Sequence, residues 1–98
     1  MDDKPKAREC EEWYLLTLQE VSHSFGVERE VIIEIVEEGI VTVVMSEQNE
    51  WQFNNEALQR IRTVLQLNRD LGVNFAGAGL VLELMQEINY LRSLLHRS

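Results

Sequence analysis

The stretch "GVEREVIIEIVEEGIV", Gly26 to Val41, decides how the chain is read. Glycines bracket it, and between them runs a helical stripe. On a wheel at about 100° per residue, Glu30, Glu34 and Glu37 fall within about 60° of one another, with Glu38 beside them. Val31, Ile32, Ile35 and Val36 cover the other side. Ile33 sits at the border of the acidic stripe, where a core does not obviously claim it. The spacing predicts one amphipathic helix, stopped at Gly39, with a charged face made almost wholly of Glu.

A second, shorter helix is expected just upstream. Thr17-Leu18-Gln19-Glu20 reads as a capping box, in which the Thr hydroxyl and the Glu carboxylate each satisfy a free backbone N–H at a helix start. Leu18, Val21 and Phe25 follow at spacings of three and four, and Gly26 ends the helix in a left-handed conformation. Two short helices joined through a glycine turn make a helix-turn-helix. Trp13 to Leu16, "WYLL", is an extended lead-in to it.

Downstream, Ile40 to Met45 is β-branched and apolar, "SEQNE" is a turn, and Trp51-Gln52-Phe53 is a short return strand. This is a small β-hairpin wing, with Trp51 and Phe53 on its core side. Asn54 or Asn55 caps the next helix. Ala57, Leu58, Ile61, Val64, Leu65, Leu67 and Leu71 form its stripe, and Gly72 stops it. Asn74 caps a last helix running from about Phe75 to His96. The expected fold is mostly α: a winged helix-turn-helix with a long C-terminal helix. Residues 1–12, charged and aperiodic, form a flexible arm. Residues 13–73 form the winged domain with its post-wing helix, and 74–98 form the C-terminal helix.

In that last helix Gly77, Val81, Leu84, Ile88, Leu91 and Leu95 alternate spacings of four and three, the a/d pattern of a coiled coil, for just under three heptads. Pattern alone leaves two readings: packing onto this chain's own domain, or a dimer seam through Leu84, Ile88, Leu91 and Leu95. At about 1.5 Å per residue the helix spans roughly 33 Å. A small domain can hardly cover that length, which favours a second copy for the C-terminal half.

Charge narrows the function. The chain has 98 residues and a net charge of −8. Residues 1–56 hold fourteen acids against four bases, and residues 57–98 hold three acids against five Arg. The acidity thus lies in the half that carries the Glu-rich helix. An acidic field opposes a phosphate backbone and favours a basic partner. Arg60, Arg62 and Arg69 on the post-wing helix are a thin phosphate footprint.

Other chemistry finds little support. "GAGLVL" from Gly77 lacks the third glycine and the preceding strand of a dinucleotide fingerprint, and reads as a small-residue stretch for close packing. No P-loop is present. One Cys and two His make no recognisable metal set, and no nucleophile constellation surrounds Cys10. No enzyme activity, cofactor or metal is expected. No apolar run approaches the ~20 residues of a membrane span, and "MDDKPKAREC" has no apolar segment of a secretory signal. A lone cysteine fits a reducing, cytoplasmic home.

The order of elements resembles the MerR-like winged fold. "LTLQEVSHSFGV" is similar to that family's first helix and turn, and "FNNEALQRIRTVLQLNRDLGVNF" to its post-wing helix and the break after it. MerR-type activators place Arg and Tyr near the middle of the second helix for DNA. The matching positions here are Ile33 and Glu34. One branch resembles the chain more closely over about residues 15–95: the chaperone modulatory proteins, CbpM. The likeness rests on Glu34-Ile35-Val36 followed by Gly39, on Trp51-x-Phe53 with Asn54-Asn55, on Asn74-Phe75, and on Leu84-Met85-x-x-Ile88-x-x-Leu91. Glu28 departs from it, standing where Ser or Asp would cap better.

That resemblance implies a non-enzymatic inhibitor of a J-domain co-chaperone, the DNA-associated CbpA (DnaJ-like). Such a protein binds the J domain and blocks stimulation of the DnaK-type ATPase, in the cytoplasm or at the nucleoid through its partner. J domains carry a basic helix that docks on the DnaK-type chaperone. Glu30, Glu34, Glu37 and Glu38, with Ile33 as an apolar contact among them, are the expected partner-binding residues. The alternative is a MerR-type transcriptional regulator that acts on DNA. A homodimer is expected.

Overall fold

The computed structural model describes residues 15–97. The expected N-terminal arm, with Cys10, lies outside them. The elements in chain order are β1 (Leu16–Thr17), α1 (Leu18–Phe25), α2 (Arg29–Glu37), β2 (Val44–Met45), β3 (Trp51–Phe53), α3 (Asn55–Leu71) and α4 (Phe75–Arg97). This is the mostly helical, winged helix-turn-helix arrangement that the sequence predicts.

Local chemistry sets most of the boundaries. Thr17 Oγ1 accepts from the Glu20 amide at 3.1 Å, and the Glu20 carboxylate accepts from the Thr17 amide at 2.9 Å. Both halves of the expected capping box are therefore made. The α1 helix ends at Gly26 with φ 67°. Beyond α2, Gly39 adopts φ 78°. There the Gly39 amide donates to the Val36 carbonyl and the Ile40 amide to the Ile35 carbonyl, the paired bonds of a Schellman motif. A β-carbon is disfavoured in that left-handed conformation, so glycine suits the position. Asn54 Oδ1 caps α3 by accepting from the Ala57 amide at 2.9 Å, and Asn74 Oδ1 accepts from the Gly77 amide at 2.7 Å at the head of α4.

The wing differs from a simple hairpin. Its sheet has three antiparallel strands in the order β1-β3-β2. Leu16 pairs with Phe53 and Thr17 with Gln52, so the lead-in to α1 closes onto the return strand. On the other edge Val44 pairs with Gln52 and Met45 with Trp51. The sequence expectation of a strand over Ile40–Met45 is too long. Ile40 and Val41 are buried in the core just after the Schellman turn, and pairing begins only at Val44. Ser46 holds the tip: its hydroxyl accepts from the Gln48 and Glu50 amides, which leaves Asn49 at φ 63°.

The core joins every layer. Val21 from α1, Ile32 and Ile35 from α2, Phe53 from β3, Ile61 and Val64 from α3, and Ala78 and Leu82 from α4 are all buried in one cluster. Leu71, expected on the α3 stripe, is 66% exposed beside the terminating Gly72.

The small-residue stretch at the head of α4 has a specific purpose. A β-carbon on Gly79 would lie 2.8 Å from Ile40 Cγ1. Glycine thus lets α4 approach the turn after α2, and that contact ties the last helix to the helix-turn-helix. Gly79→Val is expected to lower stability by about 1–3 kcal/mol, the usual range for overpacking. A thermal melt unchanged or raised by this substitution would contradict the close approach.

Candidate partner-binding surface

The expected site residues sit on α2, with Glu38 at its C-cap. Glu30, Glu34, Glu37 and Glu38 are all exposed, while Ile32 and Ile35 are fully buried against the core. The helix therefore presents its Glu side outward and keeps the apolar side in. No side chain caps its start at Glu28. Among the described residues only Arg69 and Asp70 form an ion pair, at 3.8 Å, so none of the four Glu is neutralised by a neighbouring base. The face is a solvated anionic surface on the helix that, in a DNA reader of this shape, would carry Arg.

Ile33 is half-buried. It turns toward the wing rather than into the acidic stripe. With Leu18 and Trp51 it lines an open groove of about 580 Å³ between α1, α2 and the wing tip. Trp51 stacks edge-on against Phe53, with ring centroids 6.4 Å apart and planes at 80°. Phe53 is fully buried, whereas Trp51 is half-buried and borders the groove. Alternation along β3 puts both on one face, as the sequence expects. It does not say that the sheet ends beneath Trp51, and so sequence reasoning misses the groove.

The basic residues of α3 offer little to a phosphate backbone. The Arg60 Nε donates to the Ile40 carbonyl at 2.7 Å, which commits that side chain to holding the turn after α2. Arg69 faces Asp70. Arg62 is exposed and borders a cleft with the apolar Phe25, Val27 and Leu65. Phosphate contacts dominate duplex affinity, so a surface with these Arg and an anionic recognition helix is poorly matched to DNA.

On α4, Leu84, Ile88, Leu91 and Leu95 are 55%, 49%, 50% and 75% exposed. Phe75, Ala78, Gly79 and Leu82 form the line that meets the domain. Continued along the helix, that line becomes Gln86, Asn89 and Ser93. The Leu84–Leu95 stripe lies about 160° around the helix from it. Own-domain packing, one of the two readings left open by the heptad spacing, therefore ends near Leu82 and uses another face.

These features can be set beside known proteins. The family described as "MerR HTH family regulatory protein" matches residues 16–97. A "Chaperone modulatory protein CbpM" of Coxiella burnetii is 33% identical over 76 residues, covering 78% of this chain and 72% of that protein. One of Pseudomonas putida strain GB-1 is 33% identical over 78 residues, covering 80% of this chain and 77% of that protein.

The chain belongs to the CbpM family.

The MerR-like scaffold here carries Ile33 and Glu34 in the middle of α2 and a single base, Arg29, at its start. The CbpM relatives are named for chaperone modulation, and the fold match concerns a regulatory family. Among the described residues no helix is long and apolar enough to cross a membrane. Nor does any group of three or more His, Cys, Asp or Glu among them have a metal-binding arrangement.

Proposed function

We propose that this protein is a non-enzymatic chaperone modulator. It binds the J domain of a CbpA-type co-chaperone and inhibits that protein's co-chaperone and DNA-binding activities. The observation that carries the reading is the exposed face of α2, where Glu30, Glu34, Glu37 and Glu38 stand on a helix shaped to read nucleic acid. The names of its CbpM relatives support the chaperone connection.

The mechanism is occlusion. A basic J-domain helix that must dock on a DnaK-type chaperone is covered instead by the anionic α2 surface. Complementary charge accelerates encounter and sets specificity more than it raises affinity. Exposed Glu pairs supply only ~0.2–1 kcal/mol each, so an apolar contact is needed at the centre, and Ile33 is the candidate. The working form is a cytoplasmic homodimer joined through Leu84, Ile88, Leu91 and Leu95 of α4, which leaves α2 of each copy free to bind.

Two assays test this reading together. Added in slight excess over a CbpA-type protein, the chain should abolish J-domain stimulation of the DnaK-type ATPase while leaving basal turnover unchanged. It should give no salt-sensitive gel shift with duplex DNA at sub-micromolar concentration. An unaffected stimulation, or a tight salt-sensitive shift, would contradict it.

A further inference from the structure

The groove beside Ile33 has a composition that the acidic face alone does not require. Its apolar walls come from three separate elements: Leu18 at the start of α1, Ile33 on α2 and Trp51 on β3. Leu18 and Trp51 pack against the core from their far sides, but Ile33 has no place in that cluster. A volume of about 580 Å³ lies within the ~300–1,000 Å³ usual for binding pockets. The groove therefore has room for a bulky apolar side chain.

Arg29 and Glu50 line the same groove, from α2 and the wing turn, and no ion pair joins them. Arg29 is the only Lys or Arg between residues 15 and 59, in the acidic half of the chain. It is exposed in the first turn of α2, where the helix dipole disfavours a cation. Among the described residues no carboxylate lies within ion-pairing distance of its guanidinium. Its guanidinium is therefore available to a partner.

We infer that the groove is the anchor site for the partner and that Arg29 selects what enters it. The occupant is a segment of the basic partner surface that presents one bulky apolar side chain with a carboxylate beside it. The apolar side chain seats against Leu18, Ile33 and Trp51, and the carboxylate pairs with Arg29. The basic residues around them face Glu30, Glu34 and Glu37. A partner that is basic throughout would meet Arg29 as a like charge, so this one residue distinguishes the right basic surface from any other. The inference rests on the reading of α2 as the partner-binding helix, and it adds the chemistry of the partner's contact segment.

The test uses the sign of an electrostatic effect. Arg29→Glu makes the α2 surface more anionic. If overall acidity alone governs binding, a purified CbpA-type J domain should bind this variant more tightly. If Arg29 pairs with a carboxylate, binding should weaken on the order of tenfold at low salt. Reversing one J-domain Asp or Glu to Lys should then recover most of the loss. Ile33→Ala should weaken binding on the order of 30-fold, to a similar extent at low and high salt, because a buried apolar anchor is little screened. Gln19→Trp, an exposed change on the groove wall, should block binding by filling the space. Thermal melts matching the unmodified protein would establish that each variant is folded.

Unchanged or tighter binding by Arg29→Glu, with Ile33→Ala and Gln19→Trp neutral, overturns the groove as anchor. If Glu34→Lys/Glu37→Lys still weakens binding in that case, the acidic-face reading survives alone. If instead the groove variants weaken binding while the Glu reversals do not, the anchor stands and the acidic stripe is not the contact. J-domain binding unmoved by any of these variants overturns both.

Discussion

Replacing Leu91 with Glu is expected to convert a dimer into a monomer. Leu91 is half-exposed in the middle of the Leu84–Leu95 stripe, with Ile88 one turn before it and Leu95 one turn after. The stripe lies on the side of α4 away from the domain, and the domain-facing line has already turned polar at Gln86. Clusters of large exposed apolar side chains mark interaction surfaces. At the centre of such a seam a carboxylate would have to be buried without a partner, which costs several kcal/mol. The dimer dissociation constant should therefore rise by on the order of a hundredfold or more. Sedimentation velocity at tens of micromolar reads this directly: one dimeric species for the unmodified chain and one monomeric species for the variant. Because Leu91 lies beyond the last buried α4 residue, Leu82, the variant should keep its fold. An unmodified protein already monomeric at those concentrations would contradict the seam.

What could be read from the sequence was local. The Thr17–Glu20 box, the glycine stops at Gly26 and Gly39, and the Asn54 and Asn74 caps each depend on residues within one turn of chain, and all form as expected. The inward face of α2 was legible for the same reason, since helical spacing alone puts Ile32 and Ile35 together. What escaped depends on contacts between distant segments. Pairing of Leu16 with Phe53 makes β1 a third strand, and no local pattern announces it. Ile40 and Val41 look like strand residues by composition but serve the core, because the turn after Glu38 delivers them inward before the sheet begins. Arg60 reads as a phosphate ligand until its bond to the Ile40 carbonyl is seen. The groove requires α1, α2 and the wing to converge, so Arg29 and Trp51 could not be connected to Ile33 from spacing alone.

The proposed contact is between the anionic face of α2 and a basic J-domain surface. Reversing Glu34 and Glu37 to Lys changes the local charge by four units on two exposed side chains, so the fold should be unaffected. Electrostatic steering raises association rates by ~10–10³-fold and fades as salt rises. The double reversal should therefore slow association by on the order of tenfold or more at low salt, with a smaller effect at high salt. Dissociation should change less, because rim charges act mainly on encounter. The decisive measurement is titration of a purified CbpA-type J domain against the unmodified and Glu34→Lys/Glu37→Lys proteins at low and high salt. Much weaker binding by the variant at low salt, a flattened salt dependence, and convergence of the two proteins at high salt are expected. Equal affinity of the two proteins at low salt would contradict the proposed contact and put the binding surface elsewhere on the molecule.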